Sequence, residues 1–263
     1  MKALTRTAAR FAAPLLCLGL AAAVLPAAGA EFSSTQTKEI GNIVRDYLVN
    51  NPEVLREAMT ELERRQTAEQ VAAREKIISG NPNLFSSPHQ AVVGNPNGKV
   101  TLVEFFDYNC GYCKKSLEDL AKLMKDDPNL RIVLKDFPVL GPGSVEAAQV
   151  ASALRNQFSG EKFWAYHQKL LMTRGQIGKA QALAVAKDMG ADIAKLERDM
   201  ASPEVKAGIQ EVMQMADGLN LTGTPSWVVG TDVVVGAVGY DELKGKVGAV
   251  ATNVAKCGKA VCS

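Results

Sequence analysis

Three features of the 263-residue sequence predict an α/β fold with a helical insertion, preceded by a separate α-helical segment. First, a β-branched and aromatic run at 100–106 leads through Cys110-Gly111-Tyr112-Cys113 into Leu117, Leu120, Leu123 and Met124 at helical spacing, and a second β-rich run follows at 130–137. This reads as a β-α-β unit with parallel strands. Second, residues 144–220 are helix-forming throughout, in five stretches at 144–158, 161–172, 179–189, 191–200 and 203–219. Third, short apolar runs at 226–229 and 232–237, parted by Gly230-Thr231, read as an antiparallel hairpin before a last helix at 240–255.

At the start of the chain, Lys2, Arg6 and Arg10 precede an apolar run from Phe11 to Leu25, and Ala28-Gly29-Ala30 follows. Charged, apolar and small-residue regions in that order read as a secretory signal peptide, residues 1–30, cut after Ala30. A membrane anchor would want a longer run without Pro14 and Pro26. Cys17 follows Leu16, where a lipoprotein would have a small residue, and is expected to leave with the signal. Cleavage takes the formal charge from +2 to −1, with 27 Lys and Arg against 28 Asp and Glu. A near-neutral chain with no basic run has no electrostatic footprint for nucleic acid, and no other stretch is apolar enough to span a bilayer.

Residues 31–79 form the separate segment. Ile40, Ile43, Val44, Tyr47 and Leu48 lie on one stripe of a helix over 37–48. Asn51 as N-cap and Pro52 at the first position start a second helix that presents Val54, Leu55, Ala58, Met59 and Leu62. From 63 to 76 the sequence favours helix but is almost wholly polar, a solvated connector, and Ser79-Gly80-Asn81-Pro82-Asn83 ends it. The stripes leave apolar surface that must be covered, by self-association through residues 37–62 or by folding back on the main domain, residues 80–263.

The chemistry lies in the C-x-x-C. Cys110 falls at a helix N-terminus, where unpaired N–H groups and the positive end of the dipole favour a thiolate. It is the expected attacking thiol, and Cys113 the resolving one. The alternatives are a structural staple or half a zinc site, but zinc would need further ligands, and only His89, His167, Cys257 and Cys262 are available. No metal or cofactor is therefore expected. His167, in an aromatic helix stretch, reads as a satisfied core histidine. An exported protein with four remaining cysteines is expected to pair them. Spacing favours Cys110 with Cys113 and Cys257 with Cys262. The latter reads as a C-terminal staple, with a second redox pair or a soft-metal site as the alternatives.

The strand, C-x-x-C, helical insertion and Gly223-Thr224-Pro225 before the hairpin resemble the thioredoxin fold. Specifically, they resemble the DsbA-like family of bacterial periplasmic thiol-disulfide oxidoreductases over about residues 85–255. The resemblance implies that Thr224-Pro225 is a cis-proline loop facing the disulfide, and that Gly111, Tyr112, Thr224 and Pro225 meet the substrate. It also implies that Glu104 and Lys135 are the carboxylate and lysine buried beneath the disulfide, with Glu104 taking the proton of Cys113; a buried structural ion pair, or an edge position that leaves both in water, is the alternative. Gly111-Tyr112 lacks the histidine of the strongest oxidants in the family, so a less oxidising disulfide follows. C-G-Y-C, T-P and the N-terminal helices together resemble the suppressor of copper sensitivity protein C group. That resemblance implies a periplasmic homotrimer acting as an isomerase or reductase on misoxidised exported proteins, kept reduced by an inner-membrane thiol reductase of the DsbD type. A monomeric dithiol oxidase acting on reduced exported proteins, and a chaperone or copper(I)-binding protein, are the competing readings.

Overall fold

The structure, a computed structural model, describes residues 32–257, with side chains to residue 252. The signal-peptide expectation and the Cys257–Cys262 pairing fall outside those described positions and side chains.

The first unit, to Glu61, comprises α1 (Ser34–Asn50) and the start of α2 (Pro52–Gly80). α1 opens with a capping box: the Ser33 side chain accepts from Gln36 N–H, and the Gln36 side chain accepts from Ser33 N–H. Asn51 was expected to cap α2, but its amide donates back to the Tyr47 carbonyl at 2.7 Å and so closes α1. No residue of α1 is buried; Ile40, Ile43, Val44 and Tyr47 are all exposed, as are Leu55 and Met59 of α2.

The second unit begins within α2, which runs unbroken through the polar stretch to Gly80. Residues 63–70 are exposed throughout, as a solvated connector requires, whereas the last turns pack. Ile78 is buried, Ile77 packs beside it, and Arg74 Nε donates to the Leu219 carbonyl at 3.2 Å. After a single turn, α3 (Asn83–Ser86), come β1 (Ala91–Gly94), β2 (Val100–Phe106), α4 (Gly111–Asp126) and β3 (Leu130–Asp136). The insertion is α5 (Pro142–Leu154), α6 (Gly160–Leu171), α7 (Lys179–Asp188), α8 (Ile193–Met200) and α9 (Pro203–Gly218). Then β4 (Ser226–Val229), β5 (Asp232–Val235) and α10 (Tyr240–Cys257) complete the fold.

The sheet order is β1-β3-β2-β4-β5, with β2 and β3 parallel and the other pairs antiparallel. The β-α-β unit and closing hairpin thus form as the sequence predicts. β2 and β3 are buried on both faces, which is why they read as near-continuous apolar runs. One face carries Leu102, Phe106, Ile132 and Leu134 against α4, α6 and α10. The other carries Val103, Phe105 and Val133 against α9, α3 and the end of α2. β1 is a four-residue edge strand, too short for its alternation to register in sequence. α5 starts earlier than its apolar pattern because Pro142 is pre-shaped for a first helical turn, and α8 starts later because the Asp192 side chain caps Lys195 N–H.

Candidate active site

β2 delivers the chain to the site. Beyond Phe106, the turn Asp107-Tyr108-Asn109-Cys110 reverses into α4, with Cys110 as its N-cap and its sulfur 3.4 Å from the Cys113 amide. Both cysteines are free thiols. Their environments differ. The Cys110 thiol is pulled down to about 6, first by the Cys113 side chain and then by Thr224 and the amides of Cys113 and Tyr112, with burial opposing. Burial pushes the Cys113 thiol far up, reinforced by Cys110 and Glu104, while the backbone of Asp107 works in the other direction. Tyr112, between them, is 68% exposed.

Opposite α4, β4 pairs with β2 in a register that sets Ser226 beside Phe105, which carries the preceding turn to the dithiol. The Thr224-Pro225 peptide is cis, as the resemblance implies, and the Cys110 thiol donates to the Thr224 carbonyl at 3.2 Å. Gly111, Tyr112, Thr224 and Pro225 are thus brought together around Cys110.

Glu104, six residues before Cys110, lies on the sheet face that carries α4. It is buried, its Oε2 has no hydrogen-bond partner, and burial followed by the Cys110 charge raises its carboxyl to about 8. Lys135 does not join it. Glu104 is in register with Leu134, so Lys135 leaves β3 on the opposite face. There its ammonium donates to the Asn83 carbonyl at 3.1 Å, and burial lowers it to about 8, with Glu211 opposing and Arg131 and Arg155 assisting. Neither the shared position beneath the dithiol nor the alternative Glu104–Lys135 ion pair forms; one residue of strand offset separates the two groups.

Two polar residues that the sequence reading passed over organise the turn. Asp107 is buried and accepts four hydrogen bonds: Oδ1 from Asn109 N–H and the Ser144 hydroxyl, Oδ2 from Val139 N–H and Leu140 N–H. The Asn109 side chain bonds both the N–H and the carbonyl of Ile177 and donates to Ser144 Oγ. Polar residues inserted between an apolar strand and a C-x-x-C were the available signal. His167 is a core residue, held near 3 by burial and so neutral; its Nδ1 is 3.4 Å from Tyr108 Oη, and Nε2 is unpartnered rather than satisfied. Phe106 meets its ring edge-on and Trp164 stacks on it.

A cavity of about 660 Å³ lined by His89, Ser152, Arg155 and Ser202 contains neither cysteine. Tyr112 on α4, Val139 and Leu140 in the loop after β3, Val145 on α5 and Met172 just after α6 expose apolar surface.

A strand-to-helix dithiol with an activated first thiol beneath a cis-proline turn defines a thiol-disulfide oxidoreductase of thioredoxin fold. Residues 101–248 match the DSBA-like thioredoxin domain, so the chain belongs to that family, and residues 36–69 match the copper resistance protein ScsC N-terminal domain. A thioredoxin-like oxidoreductase from Silicibacter pomeroyi DSS-3 is 40% identical, with a TM-score of 0.62, over 65% of this chain and 98% of that one. Proteus mirabilis ScsC in a compact conformation is 30% identical, with a TM-score of 0.63, over 82% and 99% of the two chains. The thiol:disulfide interchange protein DsbA of Bordetella pertussis is 28% identical over 62% of this chain and 75% of its own. The chain also matches two Salinispora Na(+)/H(+) antiporters, at 29% and 27% identity, and spans only 21% of the length of each.

Proposed function

We propose that this protein is a periplasmic disulfide isomerase or reductase that acts through Cys110 on misoxidised exported proteins. The observation that carries this reading is the uncovered apolar face of α1 and early α2 in a chain that also bears an activated dithiol. Self-association through residues 37–62, as a homotrimer, covers that face and sets several dithiols around one client. The likeness to ScsC over both segments supports it. Among the described residues no helix is long and apolar enough to cross a membrane, in keeping with an exported protein released from its signal peptide.

In this mechanism the Cys110 thiolate attacks a client disulfide and forms a mixed disulfide. Gly111, Tyr112, Thr224 and Pro225 seat the client backbone, and the exposed Tyr112 ring meets its side chains. Cys113 then resolves a stalled intermediate after giving its proton to the ionised form of Glu104, a buried group with an unpartnered oxygen and a raised proton affinity. Lys135 anchors α3 from the far face of the sheet and takes no part in exchange. Isomerisation needs Cys110 reduced, hence a DsbD-like inner-membrane thiol reductase as electron donor.

The lowered Cys110 thiol would also serve an oxidase, and the resting state in cells separates the two readings. Trapping thiols with acid and a mass-tagged alkylator should find Cys110 and Cys113 reduced; a mostly oxidised pair would make the protein an oxidase. Cys113→Ala should accumulate client mixed disulfides, whereas a chaperone or copper(I) binder would yield none.

A further inference from the structure

We propose that Asp107 is a positioning residue for the second half of the exchange, holding the turn so that Cys113 meets the mixed disulfide on Cys110. This rests on the reading of Cys113 as the resolving cysteine. In that step the Cys113 thiolate attacks Cys110 Sγ, the bond from Cys110 to the partner sulfur breaks, and the Cys110–Cys113 bond forms. The dithiol is oxidised, the partner leaves with the electron pair as a thiolate, and the proton from Cys113 passes to Glu104 in its ionised form, the fraction of the carboxyl that has lost its own proton.

Both oxygens of the Asp107 carboxyl act as acceptors. All four of its partners are donors, two on each oxygen: Asn109 N–H at 2.8 Å and Ser144 Oγ at 2.7 Å, Val139 N–H at 2.9 Å and Leu140 N–H at 3.0 Å. An amide of the same shape keeps one acceptor but points its NH2 at two donors, leaving buried groups unpaired. The Asp107 carbonyl also accepts the Cys110 N–H at 3.0 Å, so this one residue ties the first cysteine to the loop after β3. Asn109 adds its two bonds to Ile177, joining the turn to the loop before α7.

The two half-reactions depend on this clamp unequally. Cys110 is activated by the start of α4 and by the Thr224 side chain, contacts the Asp107 side chain does not make. Cys113 is only 1% exposed, so its sulfur cannot seek out the mixed disulfide and reacts only where the turn places it. The backbone of Asp107 also opposes the rise in the proton affinity of Cys113, a further reason that loss of the clamp falls on Cys113.

The test is a single-turnover reaction of the full-length reduced protein with oxidised glutathione, quenched with acid and read by mass spectrometry. It resolves formation of the Cys110–glutathione mixed disulfide from its collapse. Asp107→Asn should slow collapse about tenfold or more while formation at pH 7 stays within about twofold. The Cys110 titration at 240 nm, taken in a Cys113→Ala background, should not move. Ser144→Ala, which removes one of the four donors, should slow collapse about threefold and decides the matter if Asp107→Asn does not fold. Collapse at the wild-type rate in a folded variant, or equal slowing of both steps, overturns the proposal. If Cys113→Ala itself collapses the mixed disulfide as fast as wild type, the reading of Cys113 as the resolving thiol fails instead.

Discussion

Glu104 and Lys135 project from neighbouring strands to opposite faces of the sheet, because Glu104 is in register with Leu134. The carboxyl therefore meets the dithiol without a cation beside it, and its proton affinity is set by burial and by Cys110. Glu104→Gln should slow resolution of the mixed disulfide by about tenfold or more, within the usual range for a proton acceptor. Lys135→Met should leave that rate within about twofold, since its ammonium bonds Asn83 on the other face. Stopped-flow rates for the two variants at pH 7 check the contrast; an equal loss in both would return Lys135 to the site.

The raised carboxyl also fixes a pH dependence. Folding lifts Glu104 from its ordinary value near 4.5 to about 8, so the native state holds a proton that the unfolded chain has released. Its stabilising contribution is complete below 4.5 and is lost as pH rises to about 8. Glu104→Gln has no such loss. The stability of the reduced variant relative to wild type should therefore rise between pH 5 and 8 by up to about 1.4 kcal/mol per pH unit. Urea unfolding at pH 5, 6.5 and 8 measures it; a pH-independent difference would mean that Glu104 is hydrated in solution.

Cys110 titrates oppositely to Glu104. Its thiol is brought down to about 6, so absorbance at 240 nm should show a midpoint near 6 in the reduced protein, where Cys113 stays protonated. That lies between about 7 for thioredoxin and about 3.5 for DsbA. A more acidic thiol stabilises the reduced form, so the reduction potential should fall between about −270 and −120 mV. Tyr112→His adds a cation at the helix start and should lower the midpoint and make the disulfide more oxidising. A midpoint above 8 would contradict this account of Cys110.

The exposed stripe of α1 makes the association testable without truncation. Ile43→Glu with Tyr47→Glu places charge on residues already 67% and 56% exposed, so the helix itself should survive. Light scattering should show an oligomer reduced to monomers, with circular dichroism unchanged. A wild-type size for the double variant would mean that this face is not the interface.

The fold was largely legible because its core strands and helices carry strong periods: β2 and β3 as apolar runs, α4 with Leu117, Leu120 and Leu123 on one face. β1 and α3 were not, since four residues hold too little pattern to separate a strand or a turn of helix from loop. The pairing of Cys110 with Thr224 was readable only through resemblance, because a Thr-Pro pair by itself marks a turn. Lys135 went wrong by one residue of strand register, which sequence does not fix when both faces of a strand are buried. Asp107 and Asn109 were missed because their partners, Val139, Leu140, Ser144 and Ile177, lie 30 to 70 residues along the chain, visible only once the loops meet.

Reactivation of scrambled ribonuclease by residues 31–263, beside a chain beginning at Leu62 and with the size of each measured, tests the central claim most directly. Starting at Leu62 keeps Arg74, Ile77 and Ile78 on the catalytic domain, so only the early helices are lost. The account predicts that the long chain is oligomeric and isomerises, while the short one is monomeric and retains thiol exchange without isomerising. If the short chain isomerises as well, or if neither does and both oxidise a reduced substrate, the claim that the N-terminal helices create an isomerase is contradicted.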